Sequence, residues 1–165
     1  MKQKFIITEF TEKDLSGAIR IWNSVVKAGR AFPQEEELTV VNAMQFFQSQ
    51  SRTGIAREKS TGTIAGLYIL HPNNVGRCGH ICNASYAVAD DFRGQHLGEM
   101  LVRDSLVQAA ALGFLILQFN AVVASNTTAL NLYKKLGFTQ LGVIPGGFRN
   151  PDGVYEDIIP HYIKL

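Results

Sequence analysis

The spacing of apolar residues predicts an alternation of helices and strands along the whole chain. Apolar positions recur with helical periodicity in four segments, and they alternate or run together in the segments between. The predicted helices cover residues 15–26, 39–50, 97–112 and 126–136. The predicted strands cover residues 5–10, 54–57, 63–70, 80–88, 114–123, 138–144 and 155–164. Helices early and late around a meander of strands indicate an α/β sandwich with a mixed sheet covered on both faces.

Local signals fix several of these element ends. Thr11, with Asp14 three residues later, has the pattern of a capping box before the first helix. Gly113 and Gly137 follow the third and fourth helices, where a glycine commonly ends a helix. Residues 114–123 are almost continuously apolar, which predicts a central strand buried on both faces. Residues 29–37 and a Pro/Gly/Asn-rich stretch at 146–153 are predicted loops.

Composition narrows the class of protein. The 165 residues, of which 46% are hydrophobic, suit one domain spanning residues 1–165. A net charge of +2 with scattered Lys and Arg provides no basic patch for nucleic acid. No apolar run is long enough for a bilayer or a signal peptide, so we expect a cytoplasmic protein without a membrane partner. Cys78 and Cys82 lack a second Cys or His pair, which favours reduced thiols and no metal.

An anion-binding turn is predicted between the strand at 80–88 and the helix at 97–112. The first amides of a helix lack intrahelical partners and lie at the positive end of its dipole, so a pyrophosphate can accept their hydrogen bonds. The alternative is a plain connection in which Gly94 is a turn residue. Other nucleotide motifs fit worse, because there is no Gly-Lys-Ser/Thr and the spacing of Gly94 and Gly98 is not that of G-x-G-x-x-G.

Two blocks of sequence resemble the GCN5-related N-acetyltransferase (GNAT) superfamily. Residues 93–98, Arg-Gly-Gln-His-Leu-Gly, are similar to the turn Arg/Gln-x-x-Gly-x-Gly/Ala, with His96 in place of the middle glycine. Residues 126–138 are similar to the helix pattern Asn-x-x-Ala-x-x-Leu-Tyr-x-Lys-x-Gly-Phe. The resemblance implies a mixed, mostly antiparallel sheet with helices on both faces and splayed central parallel strands. It also implies acetyl-CoA as co-substrate.

The resemblance further implies roles for individual residues. The backbone of Tyr86 and Val88 would pair with the pantetheine arm as an added strand does. Asn126 would contact the cofactor, although capping the helix that begins there is an alternative role. Tyr133 would be the catalytic acid that protonates the departing thiolate, the alternative being an ordinary core aromatic. The pyrophosphate would be held by the amides of Arg93, Gly94, Gln95, His96, Leu97, Gly98 and, at the end of the turn, Glu99.

The residues leave the general base open. An amine must lose its proton near neutral pH, yet the strand at 80–88 carries no Asp or Glu. The strand offers His80, Cys82, Asn83 and Ser85, so deprotonation through ordered water is another route. Glu156 and Asp157 should face opposite sides of the last strand, which would point one of them into the cleft.

The two predicted loops are expected to flank the acceptor. Phe32 and Phe148 would line the site, and the acids at Glu35, Glu36 and Glu37 would favour a cationic amine, although such a run is also typical of a solvated loop. Asp157 is a further candidate for contact with the substrate.

The prediction is an N-acetyltransferase that moves acetyl directly from acetyl-CoA to a primary amine of a small molecule or amino-acid-like substrate. A protein or peptide N-acetyltransferase is the alternative within the same class, and an open groove would favour it. A non-catalytic acyl-CoA-binding regulatory domain is the alternative from another class, because the strand carboxylate is missing. Relatives in the superfamily commonly form homodimers, but nothing in the sequence specifies one.

Overall fold

An eight-stranded mixed sheet organises the chain over residues 4–165, the part that the computed structural model describes. The sheet order is β1-β2-β3-β4-β5-β8-β6, and β7 pairs with β8 beside this path. The strands are β1 (Phe5–Glu9), β2 (Arg52–Glu58), β3 (Ile64–Pro72), β4 (Ile81–Val88), β5 (Ile116–Val123), β6 (Thr139–Gln140), β7 (Ile144–Arg149) and β8 (Tyr155–Lys164). The predicted mixed, mostly antiparallel sheet is confirmed.

Four helices cover the two faces of this sheet. They are α1 (Leu15–Ala28), α2 (Val40–Gln48), α3 (Leu97–Ala111) and α4 (Thr127–Lys135). The period of two along β3 directs Leu67 and Ile69 toward the core under α1 and α2, and Tyr68 and Leu70 toward the core under α3 and α4. None of the helices within residues 4–165 is both long enough and apolar enough to cross a membrane.

The ends of the helices follow their sequence signals. The Asp14 carboxylate accepts a hydrogen bond from the Thr11 amide at 2.8 Å, so the predicted capping box is present, with a 3-10 turn at Glu12–Asp14 leading into α1. Gly29 ends α1 in the left-handed conformation, at φ 63°. The segment between Gly29 and α2 contains no helix or strand, as predicted.

The central strands β4 and β5 diverge after a short parallel contact. They pair only at Ile81 with Ile116 and at Cys82 with Leu117, whereas every other strand pair within residues 4–165 is antiparallel. The carboxyl-terminal halves of the two strands therefore border an opening, which we call the β4–β5 gap. This geometry confirms the predicted splay.

Two predictions about the sheet require correction. Strand β5 is not buried on both faces, because Asn120 is exposed and Gln118 is only half-buried. Helices α1 and α2 pack mainly on β2, β3 and β4, and they leave this face of β5 uncovered. The predicted strand 138–144 is only the two-residue β6, while β7 extends into the predicted loop and pairs with β8 through an irregular register.

Candidate active site

The edge of β4 that faces the gap has free backbone groups. The Asn73 amide donates to the Ile81 carbonyl and the Ala89 amide donates to the Ala65 carbonyl. Hydrogen-bonded and non-hydrogen-bonded residue pairs alternate in an antiparallel ladder, so the odd-numbered residues of β4 bond to β3. The amides and carbonyls of the even-numbered residues, Tyr86 and Val88 among them, consequently point into the β4–β5 gap, where β5 has already diverged.

Six successive backbone amides follow at the beginning of α3. Those of Gly94 to Glu99 have no hydrogen-bond partner within residues 4–165, and the first bond into the helix is from the Met100 amide to the His96 carbonyl. The amide of Arg93 was predicted to be one of the free donors, but it donates to the Asp90 carbonyl at 3.2 Å. The free donors thus begin one residue later than the sequence indicated.

His96 adopts a backbone conformation that glycine takes most easily. Its φ of 60° and ψ of 13° place it in the left-handed region, and it is the sole non-glycine residue with positive φ within residues 4–165. Gly94 also has positive φ, at 72°. A Cβ atom would meet no atom within 4 Å at Gly94 and only Leu132, at 4.0 Å, at Gly98. The turn is therefore bare at both glycines, so an anion could approach its backbone closely.

Charged side chains brace the turn from the side. The Glu99 carboxylate accepts from Lys135 at 2.6 Å and from Arg103 at 2.8 Å, which ties the beginning of α3 to the end of α4. Hydrogen bonds from Lys135 and then from Arg103 lower the pKa of Glu99. The Arg93 guanidinium pairs with Asp90 at 2.9 Å.

Asn126 lies immediately before α4, after the carboxyl end of β5. Its Oδ1 accepts a hydrogen bond from the Ala129 amide at 3.2 Å, so it caps the helix. The cap uses only the carbonyl oxygen of the side chain, and the Nδ2 donors stay available to another partner.

Tyr133 lies over the β4–β5 gap on the α3/α4 side. Its ring centroid is 4.4 Å from that of Phe119 on β5, and Phe119 also contacts Tyr86 on β4. The Tyr133 hydroxyl has no hydrogen-bond partner within residues 4–165. Burial alone raises the pKa of Tyr133 well above its ordinary value, so the phenol keeps its proton. Tyr133 keeps 9% of its surface exposed. A proton donor is thus available beside the gap.

The sequence interpretation missed His161. This residue on β8 is 4% exposed, and its ring centroid is 5.9 Å from that of Tyr133. Its Nδ1 lies 2.7 Å from the Ile159 carbonyl. The period of two along the last predicted strand could have revealed it, since His161 shares a sheet face with Ile163, which packs in the α3/α4 core.

Most of the residues considered as a general base are exposed, have a raised pKa or already form hydrogen bonds. His80 is exposed at the start of β4, and burial raises the pKa of the Cys82 thiol to about 11. The Asn83 amide donates to Asn73. On β8, Glu156 accepts from Asn150 at 2.9 Å and Asp157 accepts from the Gly146 amide at 3.0 Å. Both carboxylates therefore bond to the β7–β8 hairpin.

A cleft of about 600 Å³ lies between β1 and α3. His96 and Glu99 are on one of its walls, but the cleft is not at the β4–β5 gap.

A second cleft, of about 530 Å³, lies where the two predicted loops meet, and we call it the loop cleft. Phe32 packs in the cluster that contains Ala87 of β4 and Ala89 just after it, and Phe148 packs with Val123 of β5. The loop cleft therefore adjoins the carboxyl ends of both splayed strands. Its lining comprises Val26, Lys27, Gly29, Phe32, Pro33, Gln34, Glu35, Gly147, Phe148, Arg149, Asn150, Pro151 and Gly153.

Two ion pairs connect the loop at residues 29–37 to the β7–β8 hairpin, and the positive charge lies on the hairpin in one pair and on the loop in the other. Arg149 of β7 pairs with Glu35 at 2.5 Å, and Arg30 pairs with Asp152 at 2.8 Å. Hydrogen bonding to Glu35 raises the pKa of Arg149. The predicted candidates Phe32, Glu35 and Phe148 all lie in the loop cleft, whereas Asp157 is not part of its lining.

Comparisons with known proteins agree with this architecture. The model of the family described as "Acetyltransferase (GNAT) family" matches residues 19–138. N-acetyltransferase aca1 of Schizosaccharomyces pombe is 29% identical over 92% of this chain and 80% of its own. The structure of a GCN5-related N-acetyltransferase from Kribbella flavida has a TM-score of 0.90 at 30% identity, covering 98% of both chains.

A third comparison shows the fold with its cofactor. A GNAT superfamily phosphinothricin acetyltransferase from Sinorhizobium meliloti, solved in complex with AcCoA, has a TM-score of 0.90 at 17% identity, covering 99% of this chain and 89% of its own. The splayed strands, the bare turn and the matched family model lead to one assignment. The chain belongs to the acetyltransferase (GNAT) family of acyltransferases.

Proposed function

We propose that this protein transfers the acetyl group of acetyl-CoA directly to a primary amine of a small molecule. The observation that carries the proposal is the run of unpartnered amides from Gly94 to Glu99, next to the free edge of β4. These donors suit a pyrophosphate and an extended amide-bearing arm, which are the two polar parts of coenzyme A. The relative from Sinorhizobium meliloti supports the same co-substrate.

Each part of the site has a distinct task in this proposal. The amides from Gly94 to Glu99 hold the pyrophosphate, with Gly94 and Gly98 leaving its oxygens access to the backbone. The carbonyl and amide of Tyr86 and the carbonyl of Val88 bond to the pantetheine arm in the β4–β5 gap. The free Nδ2 group of Asn126 donates to the cofactor while its oxygen caps α4.

The chemistry takes place at the carboxyl ends of β4 and β5. When bound, acetyl-CoA supplies an activated thioester to which the amine nitrogen adds, and the thiolate then departs. The Val88 amide, free of β3, donates a hydrogen bond to the oxyanion that forms. Tyr133 keeps its proton until the thiolate forms, because burial disfavours its phenolate. It then donates that proton to the departing sulfur and regains one from solvent, to which the amine has released its own proton.

The loop cleft supports a small acceptor rather than a peptide. Two ion pairs join the loop to the β7–β8 hairpin, and Gly29 and Pro151 approach so closely that a Cβ on Gly29 would lie 2.6 Å from the proline ring. An extended peptide would need this crossing to open. The relative named for phosphinothricin supports a small-molecule acceptor as well.

Deprotonation of the amine is assigned to water in this proposal. The β4 side chains that face the α1/α2 side include Asn83 and Ser85, which can hold a water molecule but do not ionise near neutral pH. The proton therefore leaves through solvent in the loop cleft.

Calorimetry and a thiol-release assay test the proposal together. We expect coenzyme A to bind and acetyl-CoA to be cleaved in an amine-dependent way, with Tyr133→Phe retaining binding and losing turnover. Binding without thiol release on a broad panel of primary amines would instead support a non-catalytic acyl-CoA-binding domain. Absence of binding would reject both functions.

A further inference from the structure

We propose that the ion pair between Arg149 and Glu35 is a recognition element for an α-amino acid, which replaces it on binding. The carboxylate of the amino acid would bind Arg149, and its ammonium group would face Glu35. This inference rests on the proposed function, because it specifies the acceptor of that reaction.

The position of the pair supports this role. Both side chains line the loop cleft, one on each wall, together with the aromatic rings of Phe32 and Phe148. The side chains of Arg149 and Glu35 are 56% and 75% exposed. A ligand in the cleft can therefore reach both charged groups, with apolar surface between the walls for its side chain.

The energetics favour exchange. Exposed ion pairs add little to stability, so separating Arg149 from Glu35 costs little. A guanidinium binds a carboxylate through two parallel hydrogen bonds, which a bound amino acid can provide. An α-amino acid can pair with Arg149 and Glu35 at once, whereas a plain amine pairs with Glu35 alone and leaves Arg149 to solvent.

The second ion pair makes the first one dispensable as a structural connection. Arg30 and Asp152 join the same loop and hairpin, and neither residue is part of the cleft lining. The close approach of Gly29 to Pro151 adds a packing contact at the same crossing. The walls of the cleft thus stay together when Arg149 and Glu35 separate.

Matched acceptors test the inference with acetyl-CoA as donor. The first series contains glycine and the L-α-amino acids that carry a primary amine, the second their α-carboxamides, and the third the corresponding decarboxylated amines. We expect the amino acids to have the highest kcat/KM, and Arg149→Met to raise their KM by ~10- to 100-fold. The KM of the carboxamides and amines should change by less than about two-fold, because they do not use the guanidinium.

Three variants separate recognition from structure. Arg30→Met removes the same charge and the same kind of loop–hairpin ion pair outside the cleft, and it should leave the KM of every series unchanged. Arg149→Lys should restore part of the amino-acid KM, since it keeps the charge and loses the two-pronged geometry. The exchanged variant Arg149→Glu/Glu35→Arg keeps an ion pair but reverses its direction, so its amino-acid KM should match that of Arg149→Met.

Each contrary result has a definite meaning. A wild-type amino-acid KM in the exchanged variant, or an equal rise for all three series in Arg149→Met, would assign the pair a structural role and overturn the inference. Acetylation of amines and carboxamides in preference to every amino acid would overturn it too, while the proposed function stood. Failure of all three series to release thiol would reject the proposed function itself.

Discussion

The turn at the beginning of α3 and the loop cleft are built from different chemical groups. The turn presents backbone amides, whose directions depend on φ and ψ at a few residues such as Gly94 and His96. The loop cleft presents side-chain charges from segments far apart in sequence, as in the pair between Glu35 and Arg149. Backbone donors tolerate many side chains, whereas a paired charge depends on residue identity at both positions.

This difference determines how easily substitutions can change the ligand of each region. Backbone amides at a helix N-terminus suit a phosphate group whatever the side chains of the turn are, so we expect the co-substrate to follow from the local fold. A site made of loop side chains can change its ligand by substitution without disturbing the sheet.

Removing a single backbone donor should have the largest effect. Val88→Pro deletes an amide that points into the β4–β5 gap and leaves the ladder to β3 intact. Loss of the oxyanion donor should lower kcat by ~100- to 1,000-fold. Steady-state kinetics would measure this loss. Val88→Ala, which trims the side chain and keeps the amide, is the control, and an equal loss in that variant would contradict the assigned role.

Tyr133→Phe should lower kcat by about 100-fold, because the departing thiolate loses its proton donor. The hydroxyl has no partner within residues 4–165, so the melting temperature should change little. Phe138→Leu offers a comparison in the same aromatic cluster, since it disturbs packing without removing a proton donor. A large loss of stability in Tyr133→Phe, or full activity, would assign the tyrosine to the core alone.

The pH profile gives a further test of Tyr133. Burial raises its pKa, so the neutral phenol persists through and above its ordinary pKa of about 10. The wild-type kcat should therefore show no decline from tyrosine ionisation below pH ~10. A decline in that range that disappears in Tyr133→Phe would show that the phenol ionises more easily than its burial implies.

Asn126→Ser should distinguish helix capping from cofactor contact. Its effect on coenzyme A binding should be smaller than the effects of the Val88 and Tyr133 substitutions on kcat. Serine caps helices about as well as asparagine, so the free energy of unfolding should stay within ~0.5 kcal/mol. The loss of the free Nδ2 donor should weaken coenzyme A binding by several-fold, as calorimetry would show. Asn126→Ala should lose both functions and cost about 1 kcal/mol of stability. Unchanged affinity in both variants would leave capping as the sole role.

The smallest effect should come from the strained turn. His96→Gly relieves a left-handed conformation that costs a β-carbon-bearing residue ~1–2 kcal/mol, partly offset by the greater freedom of glycine when unfolded. We expect a net gain of about 0.5 kcal/mol in the free energy of unfolding and retained coenzyme A affinity. Gly94→Ala should lose about 1 kcal/mol by the same argument. Denaturant titration would measure both, and a destabilised His96→Gly would contradict the account.

Local chemistry determined much of this protein. Apolar periodicity placed α1 to α4 and most strands. Both GNAT-like blocks lie in contiguous segments, which is why the family and the turn with free amides could be predicted. The errors occurred where local pattern is weak. The glycines at 146 and 147 indicated a loop, yet they lie within β7, at the irregular register between the Ile144–Ile158 and Phe148–Glu156 pairs. Glycine within a strand commonly marks such an irregularity.

Tertiary structure decided the rest. The apolar run of β5 did not reveal that α1 and α2 leave Asn120 exposed. The Arg93 amide was predicted to be free, but it donates a hydrogen bond to the Asp90 carbonyl. The approach of Glu35 to Arg149, and of His161 to Tyr133, depends on contacts between distant segments. Sequence alone determined the elements and the backbone turn because these depend on neighbours along the chain. The loop cleft depends on how the packed sheet positions two loops, which no local pattern records.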